Sequence, residues 1–307
     1  MNRVFILTIL LSVVLFGCKN LVEKFDDRLA VKYLKKGFIA KTIETKKSTI
    51  HYFDNQLEDK PIIIFVHGFG GDGKISWWDQ AKYFSDEYRV IVPDIYWFGK
   101  SYSDDTPSLE EQIQLVKQIV KTENLSSVNL VGISYGGFIS LGYAQEYPSD
   151  LKTLSIVDSP GAAMSQKEIV EFCQRVGAES VQDAFIPESE EEVERLMNFA
   201  FYDPPKLTSG IREGTIGIYF SKHPEKQAVL LEELPSNRSR VDGVVDVPVL
   251  ILWGEEDQVF LVREAKELQK QLDAELEIIP GAGHALPEEK PKEFNKYLEL
   301  FVEKYQD

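Results

Sequence analysis

Apolar positions along the chain follow two alternating rhythms. Continuous apolar runs occur at Pro61 to Val66, Arg89 to Ile95, Val128 to Ile133, Leu151 to Val157, Val249 to Trp253 and Ala274 to Ile279. Such runs suit strands covered on both faces. Between them lie stretches with helical spacing: Trp77 to Asp86, Leu109 to Thr122, Phe138 to Glu146, Val262 to Leu272 and Pro291 to Tyr305. Strands alternating with helices predict right-handed crossovers and a mostly parallel central sheet flanked by helices. Upstream, Ile39 to Phe53 alternates apolar and polar residues, which suggests an antiparallel pair at a sheet edge. From Gly161 to about Val244 the rhythm is lost. The pieces there are acidic and helical, notably Ser189 to Phe201, whose Glu190, Glu191, Glu192 and Glu194 sit at the end favoured by a helix dipole. This stretch reads as a helical cap, residues 161–244, inserted into a core formed by 39–160 and 245–307.

The N-terminus departs from this pattern. Arg3 precedes an apolar run from Val4 to Phe16 that is short for a membrane span and reads as an export signal, residues 1–18. Its end, Leu15-Phe16-Gly17-Cys18, resembles the lipobox of bacterial lipoproteins, in which a cysteine is lipidated after cleavage; Phe16 is bulkier than the usual residue there. The resemblance implies lipidation of Cys18 and an exported, membrane-anchored lipoprotein of the cell envelope, with an uncleaved anchor helix as the alternative. Residues 19–38 repeat Leu21, Val22, Phe25, Leu29, Tyr33 and Leu34 at helical spacing, which fits a tether packed on the fold or a helix lying on a bilayer. Cys173 is the other cysteine, so lipidation of Cys18 would leave no internal disulfide, and a buried, inert thiol is expected.

Chemistry is concentrated at the ends of the predicted strands. In Asn129-Leu-Val-Gly132-Ile-Ser134-Tyr135-Gly136-Gly137 an apolar strand meets a glycine-flanked serine and then a helix. A tight strand-to-helix turn of this kind presents the serine Oγ above the sheet edge and aims the Tyr135 amide at a developing oxyanion. A bare Gly-x-Ser-x-Gly pattern can equally be a turn that packs a helix on a strand. His67-Gly68-Phe69-Gly70-Gly71, after another strand, offers the Phe69 amide as a second oxyanion donor, with His67 bracing the loop. A serine nucleophile needs a base, and the base an orienting acid. His284, in Pro280-Gly-Ala-Gly-His284, follows the last strand; His223 falls in the cap and reads as exposed, and His51 as structural. The acid is Asp257, in Trp253-Gly-Glu-Glu-Asp257-Gln-Val, with Asp158 in Val157-Asp158-Ser-Pro as the rival and Glu255 and Glu256 as solvated turn residues.

These motifs resemble those of α/β-hydrolases over about Ile39 to Tyr305. The matching pieces are His67-Gly68-Phe69-Gly70-Gly71, Pro93-Asp94 with Gly99-Lys100-Ser101, the serine turn, Trp253-Gly254 with Asp257-Gln258-Val259, and Gly281-Ala-Gly-His284. The cap and the Trp253 to Val259 stretch are most similar to abhydrolase-type monoacylglycerol lipases. The resemblance implies an α/β-hydrolase fold and a serine esterase with Ser134, Asp257 and His284 as triad. It implies no cofactor or metal. Tyr96, Trp97 and Phe98 stand where the family pattern is shorter and are expected to shape the pocket mouth. Serine at the nucleophile position argues against dehalogenase or epoxide hydrolase chemistry.

Composition trims the alternatives. The formal charge of −16, from 50 acidic and 34 basic residues, argues against nucleic acid as a partner, and nothing calls for an obligatory protein partner. Three readings stand. One is an esterase acting on a monoacylglycerol or similar single-chain lipid ester. Another is a proline-iminopeptidase-like peptidase, with cap acids such as Glu190 to Glu194 holding a substrate amine. The last is a non-catalytic lipoprotein that uses the fold to bind a ligand.

Overall fold

The structure is a computed structural model that describes residues 21–161 and 165–306. The proposed signal and Cys18 lie outside the described residues. The strands are β1 (Ile39–Glu44), β2 (Ser48–Asp54), β3 (Ile62–Val66), β4 (Arg89–Pro93), β5 (Tyr102–Ser103), β6 (Val128–Ile133), β7 (Leu151–Val157), β8 (Val249–Gly254) and β9 (Glu275–Ile279). They form one sheet in the order β1-β2-β4-β3-β6-β7-β8-β9, with β5 also paired to β2. β1, β2 and β4 pair antiparallel, and β4 through β9 run parallel. The alternating segment is therefore the antiparallel edge, and the continuous apolar runs are the parallel strands. The two-residue β5 has no periodicity to announce it.

The helices are α1 (residues 21–35), α2 (Gly73–Ser76), α3 (Trp78–Phe84), α4 (Leu109–Thr122), α5 (Tyr135–Glu146), α6 (Gln166–Val176), α7 (Val181–Phe185), α8 (Glu190–Ala200), α9 (Ser209–Thr215), α10 (Pro224–Glu233), α11 (Val262–Leu272), α12 (Leu286–Glu289) and α13 (Pro291–Lys304). A single helix over Trp77 to Asp86 is not what forms. Asp72 caps α2 by accepting from the Ile75 N–H at 3.1 Å, and Trp77, outside helical geometry, separates α2 from α3. Between β7 and β8 the described chain is helical, without strands. Ser165 and Ser189 start α6 and α8 with full capping boxes, returned by Glu168 and Glu192, so part of the acidic character seen in the sequence is helix-start chemistry.

The two faces of the sheet divide successive strand residues between two cores, as a period of two requires. Ile64, Val66, Leu130, Ile156 and Trp253 join α4, α5 and α11 on one side. Ile63, Phe65, Val131, Leu250 and Leu252 join α1, α3 and α13 on the other.

The segment read as a tether is thus part of the fold. Leu29, Tyr33 and Phe38 are buried, and the Tyr33 ring stacks on Phe53 at 4.6 Å and meets Phe38 and Trp78 at 5.0 Å each. Asp26 of α1 pairs with Lys74 at 2.8 Å and accepts from the Tyr219 hydroxyl at 3.0 Å. The outer side of α1 exposes Val31 and Leu34. No helix among the described residues is long and apolar enough to cross a membrane. Since Tyr33 fills a wholly enclosed site between helix and sheet, Tyr33→Ala is expected to cost about 3–5 kcal/mol of stability, read as a lower urea midpoint. A loss under about 1 kcal/mol would mean that α1 only rests on the core.

Candidate active site

The parallel strands end at one edge of the sheet, and the loops leaving β3, β6, β8 and β9 supply the site. Ser134 stands between β6 and α5 at φ 54° and ψ −121°, a left-handed conformation that costs a non-glycine residue roughly 1–3 kcal/mol. Close backbone contact holds it there. A Cβ on Gly132 would strike the Gly136 carbonyl and the Ser140 Oγ, and one on Gly136 would strike the Val66 and His67 carbonyls. Here the glycines serve proximity, since neither has positive φ. Ser134 N donates to Val157 O at 2.9 Å, anchoring the turn to β7.

The β3 loop lies against this turn: a Cβ on Gly68 would come within 2.9 Å of the Ser134 Cβ. His67 braces the loop. Its Nε2 accepts from the Ile95 N–H at 3.0 Å, so the proton resides on Nδ1, which donates to Gly68 O at 2.7 Å. Burial lowers its pKa and keeps the ring neutral. Tyr135 is the first residue of α5, and its N–H has no intrahelical acceptor. The Phe69 and Tyr135 rings meet edge to face at 5.2 Å, which ties together the two residues whose amides the sequence pairs as oxyanion donors.

On the far side of the site, Asp257 and His284 come together. His284 Nδ1 donates to Asp257 Oδ2 at 2.9 Å, and Asp257 Oδ1 accepts from the Val259 and Phe260 amides at 2.7 and 3.1 Å. The carboxylate is almost wholly buried and satisfied on both oxygens. Asp158 does not take this place. It is buried without exposure, its Oδ1 accepts from Gly254 N at 2.8 Å, and its other oxygen has no partner. Burial, then the charge of Asp257, pushes its pKa well above the ordinary carboxylate range, so it sits neutral behind the acid that holds His284. The Ser134 Oγ makes no hydrogen bond among the described residues. Serine and imidazole meet across the cavity that both line.

Several expectations need correction. Glu256 is not a solvated turn residue: its Oε2 accepts from Gly281 N at 2.8 Å and Ala282 N at 3.1 Å, clamping the His284 loop. Tyr96, Trp97 and Phe98 do not shape the pocket mouth. All three are buried, and Phe98 supports the rings of His67 and Phe69 from behind. His223 is half-buried against Tyr102, not exposed. Glu190 and Glu194 both pair with Arg212 instead of facing the site. His51 is structural as read, donating to Asp94 at 2.9 Å, and Cys173 is buried.

Sequence reasoning missed two braces between the helical segment and the site loops. Arg175 of α6 donates to the Gln258 and Val259 carbonyls at 2.7 and 2.9 Å, beside Asp257. Glu289 accepts from Tyr202 N, Asp203 N and Gly283 N at 3.1, 3.0 and 2.7 Å, joining the end of α8 to the His284 loop. Nothing in the sequence marks either, because each binds main-chain groups more than 80 residues away, Glu289 in addition to the nearby Gly283.

Ser134 and His284 open on a cavity of about 610 Å³, well within the range of small-molecule sites. Leu196, Met197, Leu207 and Ile211 roof it, and Leu21 and Phe25 of α1 form part of its wall. A second cavity on the other side of Ser134, about 20 Å³, has room for little more than a water. Among the described residues no three His, Cys, Asp or Glu side chains are placed to hold a metal ion.

Glu288 is the acid on the large cavity's wall, and its carboxyl is pushed up to about 7 by burial, then by Asp79 and Glu289. Between the ordinary glutamate value and about 7 the folded protein holds a proton that the unfolded chain has released. Stability therefore falls as pH rises through that window. Glu288→Gln is expected to leave the melting temperature unchanged near pH 4.5 and to raise it relative to the parent at pH 8. An equal shift at both pH values would contradict an abnormal titration of Glu288.

Comparison with known proteins agrees with this fold. Residues 63–297 match the model of the alpha/beta hydrolase family. Lipase 1 of Psychrobacter immobilis is 25% identical over 292 residues, covering 90% of this chain and 89% of its own. Monoacylglycerol lipase ABHD6 of Homo sapiens is 28% identical over 258 residues, covering 79% and 75%. The solved structure of a putative lipase from Acinetobacter baumannii AYE superposes with a TM-score of 0.79 at 23% identity, over 92% of this chain and 96% of that one. With its mostly parallel sheet, flanking helices and strand-to-helix serine turn, the chain belongs to the alpha/beta hydrolase family.

Proposed function

We propose that the chain is a carboxylic ester hydrolase that cleaves a monoacylglycerol or a similar single-chain lipid ester through an acyl-enzyme on Ser134. The observation that carries this reading is the buried Asp257–His284 pair at the edge of an apolar cavity into which Ser134 opens. Relatives named as lipases and a monoacylglycerol lipase support ester hydrolysis.

In this mechanism Asp257 holds the His284 tautomer with Nε2 free to accept the Ser134 proton, and stabilises the imidazolium that results. Ser134 Oγ attacks the ester carbonyl, and the Phe69 and Tyr135 amides receive the oxyanion. His284 then protonates the departing alcohol. Water, deprotonated by His284, attacks the acyl carbonyl, and the proton passes back to Ser134 as the acid leaves. The positive φ of Ser134 raises its Oγ out of the turn toward the cavity, and the Asp257 hydrogen bonds restrain the imidazole opposite.

A lipid substrate suits both the apolar roof and the position of α1. Leu21 and Phe25 line the cavity, and Cys18 lies three residues before Leu21, a span of roughly 10 Å at most. A lipid on Cys18 would anchor the chain in the cell envelope with the cavity wall beside the bilayer. The peptidase reading loses ground, because the cap acids meant for a substrate amine are engaged by Arg212.

Labelling of the full chain in detergent with a fluorophosphonate should mark Ser134 and vanish in Ser134→Ala. An unlabelled parent chain would remove every serine-hydrolase reading. In a panel of p-nitrophenyl esters of increasing acyl length beside aminoacyl amides, the long-chain esters should turn over fastest, and preference for the amides would overturn the lipid assignment. Asp257→Asn should lower kcat on the order of 10⁴-fold while Asp158→Asn keeps at least about a tenth of it. The reverse ranking would make Asp158 the working acid.

A further inference from the structure

The large cavity is closed unevenly. Of the residues that line it, Leu196, His284 and Pro287 are buried, whereas Leu21, Phe25 and Arg28 of α1 and Pro205 are exposed, so the mouth lies beside α1. On its other sides the segment between β7 and β8 grips the core firmly. Arg175 holds the loop after β8, Gln227 donates to Trp97 O at 2.9 Å, and Arg240 pairs with Glu110 of α4 and Glu146 of α5. Over the mouth the hold is slight. Among the described residues one hydrogen bond joins the roof, residues 196–219, to α1, and it runs from the Tyr219 hydroxyl to Asp26 at 3.0 Å.

We propose that the Tyr219–Asp26 hydrogen bond is the latch of the cavity mouth, and that its release lets the chain from α9 to Phe220 lift off α1 and admit the acyl chain of the substrate. α1 is the fixed side. Leu29 and Tyr33 bury it in the core, and Asp26 stays paired with Lys74 at 2.8 Å when the phenol leaves, so its charge remains compensated. The roof is the side that moves. Ile211, Thr215 and Tyr219 recur every four residues along it and all line the cavity, so lifting this one face widens the mouth over three side chains. Its last turn, Ile216–Phe220, is a wide π-helical one, closed by the Ser221 N–H donating to Ile216 O at 2.9 Å, five residues back. Turns of this kind are rare and gather at functional sites. Burial, then the charge of Asp26, raises the Tyr219 pKa, so the phenol keeps the proton that it donates. The inference rests on the esterase reading above and adds the residues that decide how large a substrate enters.

The test compares kcat/KM of the full chain in detergent for the p-nitrophenyl esters of palmitic and acetic acid, which share a leaving group and differ in what must pass the mouth. Tyr219→Phe keeps the ring and removes the hydroxyl. It is expected to raise the palmitate-to-acetate ratio about fivefold, within what one hydrogen bond to a carboxylate can hold back. Asp26→Asn should move the ratio the same way, and the double variant should go no further than Tyr219→Phe alone, as two ends of one bond require. If the Asp26 variant does not fold, Tyr219→Phe decides. A ratio unmoved in Tyr219→Phe overturns the proposal, and so does one that falls, which would make the phenol a holder of the bound chain. Effects of the two substitutions that add would likewise overturn it. A parent chain that cleaves both esters while the variants leave its ratio in place sinks this inference alone. One inert toward both esters sinks the esterase reading with it.

Discussion

The site depends on a close approach of three backbone segments. The end of β3, the end of β6 and the first turn of α5 lie so near one another that side chains on Gly132 or Gly136 would overlap neighbouring carbonyls. Ser134 is held at positive φ by that contact and by its hydrogen bond to β7. Strain of this kind persists only where the surroundings over-determine it. Here they do so through the sheet itself, since β3, β6 and β7 are adjacent parallel strands. The same contact places the Gly68–Phe69 loop beside the serine. One packing constraint therefore locates Ser134 together with the Phe69 and Tyr135 amides.

Opposite the serine the organising problem is charge. Asp158, Asp257, Glu256, Glu288 and Glu289 gather around the loop that carries His284, and five carboxylates in so small a volume are costly unless each is compensated. Three different solutions serve four of them. Asp257 is satisfied by two amides and the imidazole. Asp158, beside it, stays protonated. Glu256 and Glu289 each take backbone N–H groups of the loop or of the chain leaving α8. Glu288 alone is left without a partner. Those N–H bonds fix the loop main chain, so the imidazole has a defined approach to Ser134 before any ligand arrives.

Most of this architecture was legible because it follows from local periodicity. Leu109 to Thr122, Val128 to Ile133 and Leu151 to Val157 form the elements that their spacing predicts, and Ser134, His67, Asp257 and His284 fall at strand ends as their motifs require. What escaped was non-local. Glu256 reads as a solvated glutamate until the loop of residues 281–282 is seen folded over it, and Arg175 and Glu289 grip main chain more than 80 residues away. Tyr96 to Phe98 looked like pocket residues because they stood in an unusual loop, yet burial behind Phe69 is what an aromatic run most readily gains from folding. The sequence favours Asp257 over Asp158, although both follow core strands. The choice turns on which carboxylate meets the imidazole, a matter of tertiary geometry.

The N-terminal helix gives the cavity its orientation. Tyr33 and Leu29 fix α1 to the sheet face opposite α4 and α5, and Asp26 ties it to Lys74 at the start of the β3 loop helix and to Tyr219 on the roof. The same helix contributes Leu21 and Phe25 to the cavity wall and leaves Val31 and Leu34 exposed on its outer side. A helix bound at once to core, roof and cavity cannot swing away as a free tether would. The cavity wall is therefore fixed relative to the first described residues of the chain. A membrane-anchored Cys18 would then hold the apolar cavity wall near the lipid phase, where a single-chain ester resides.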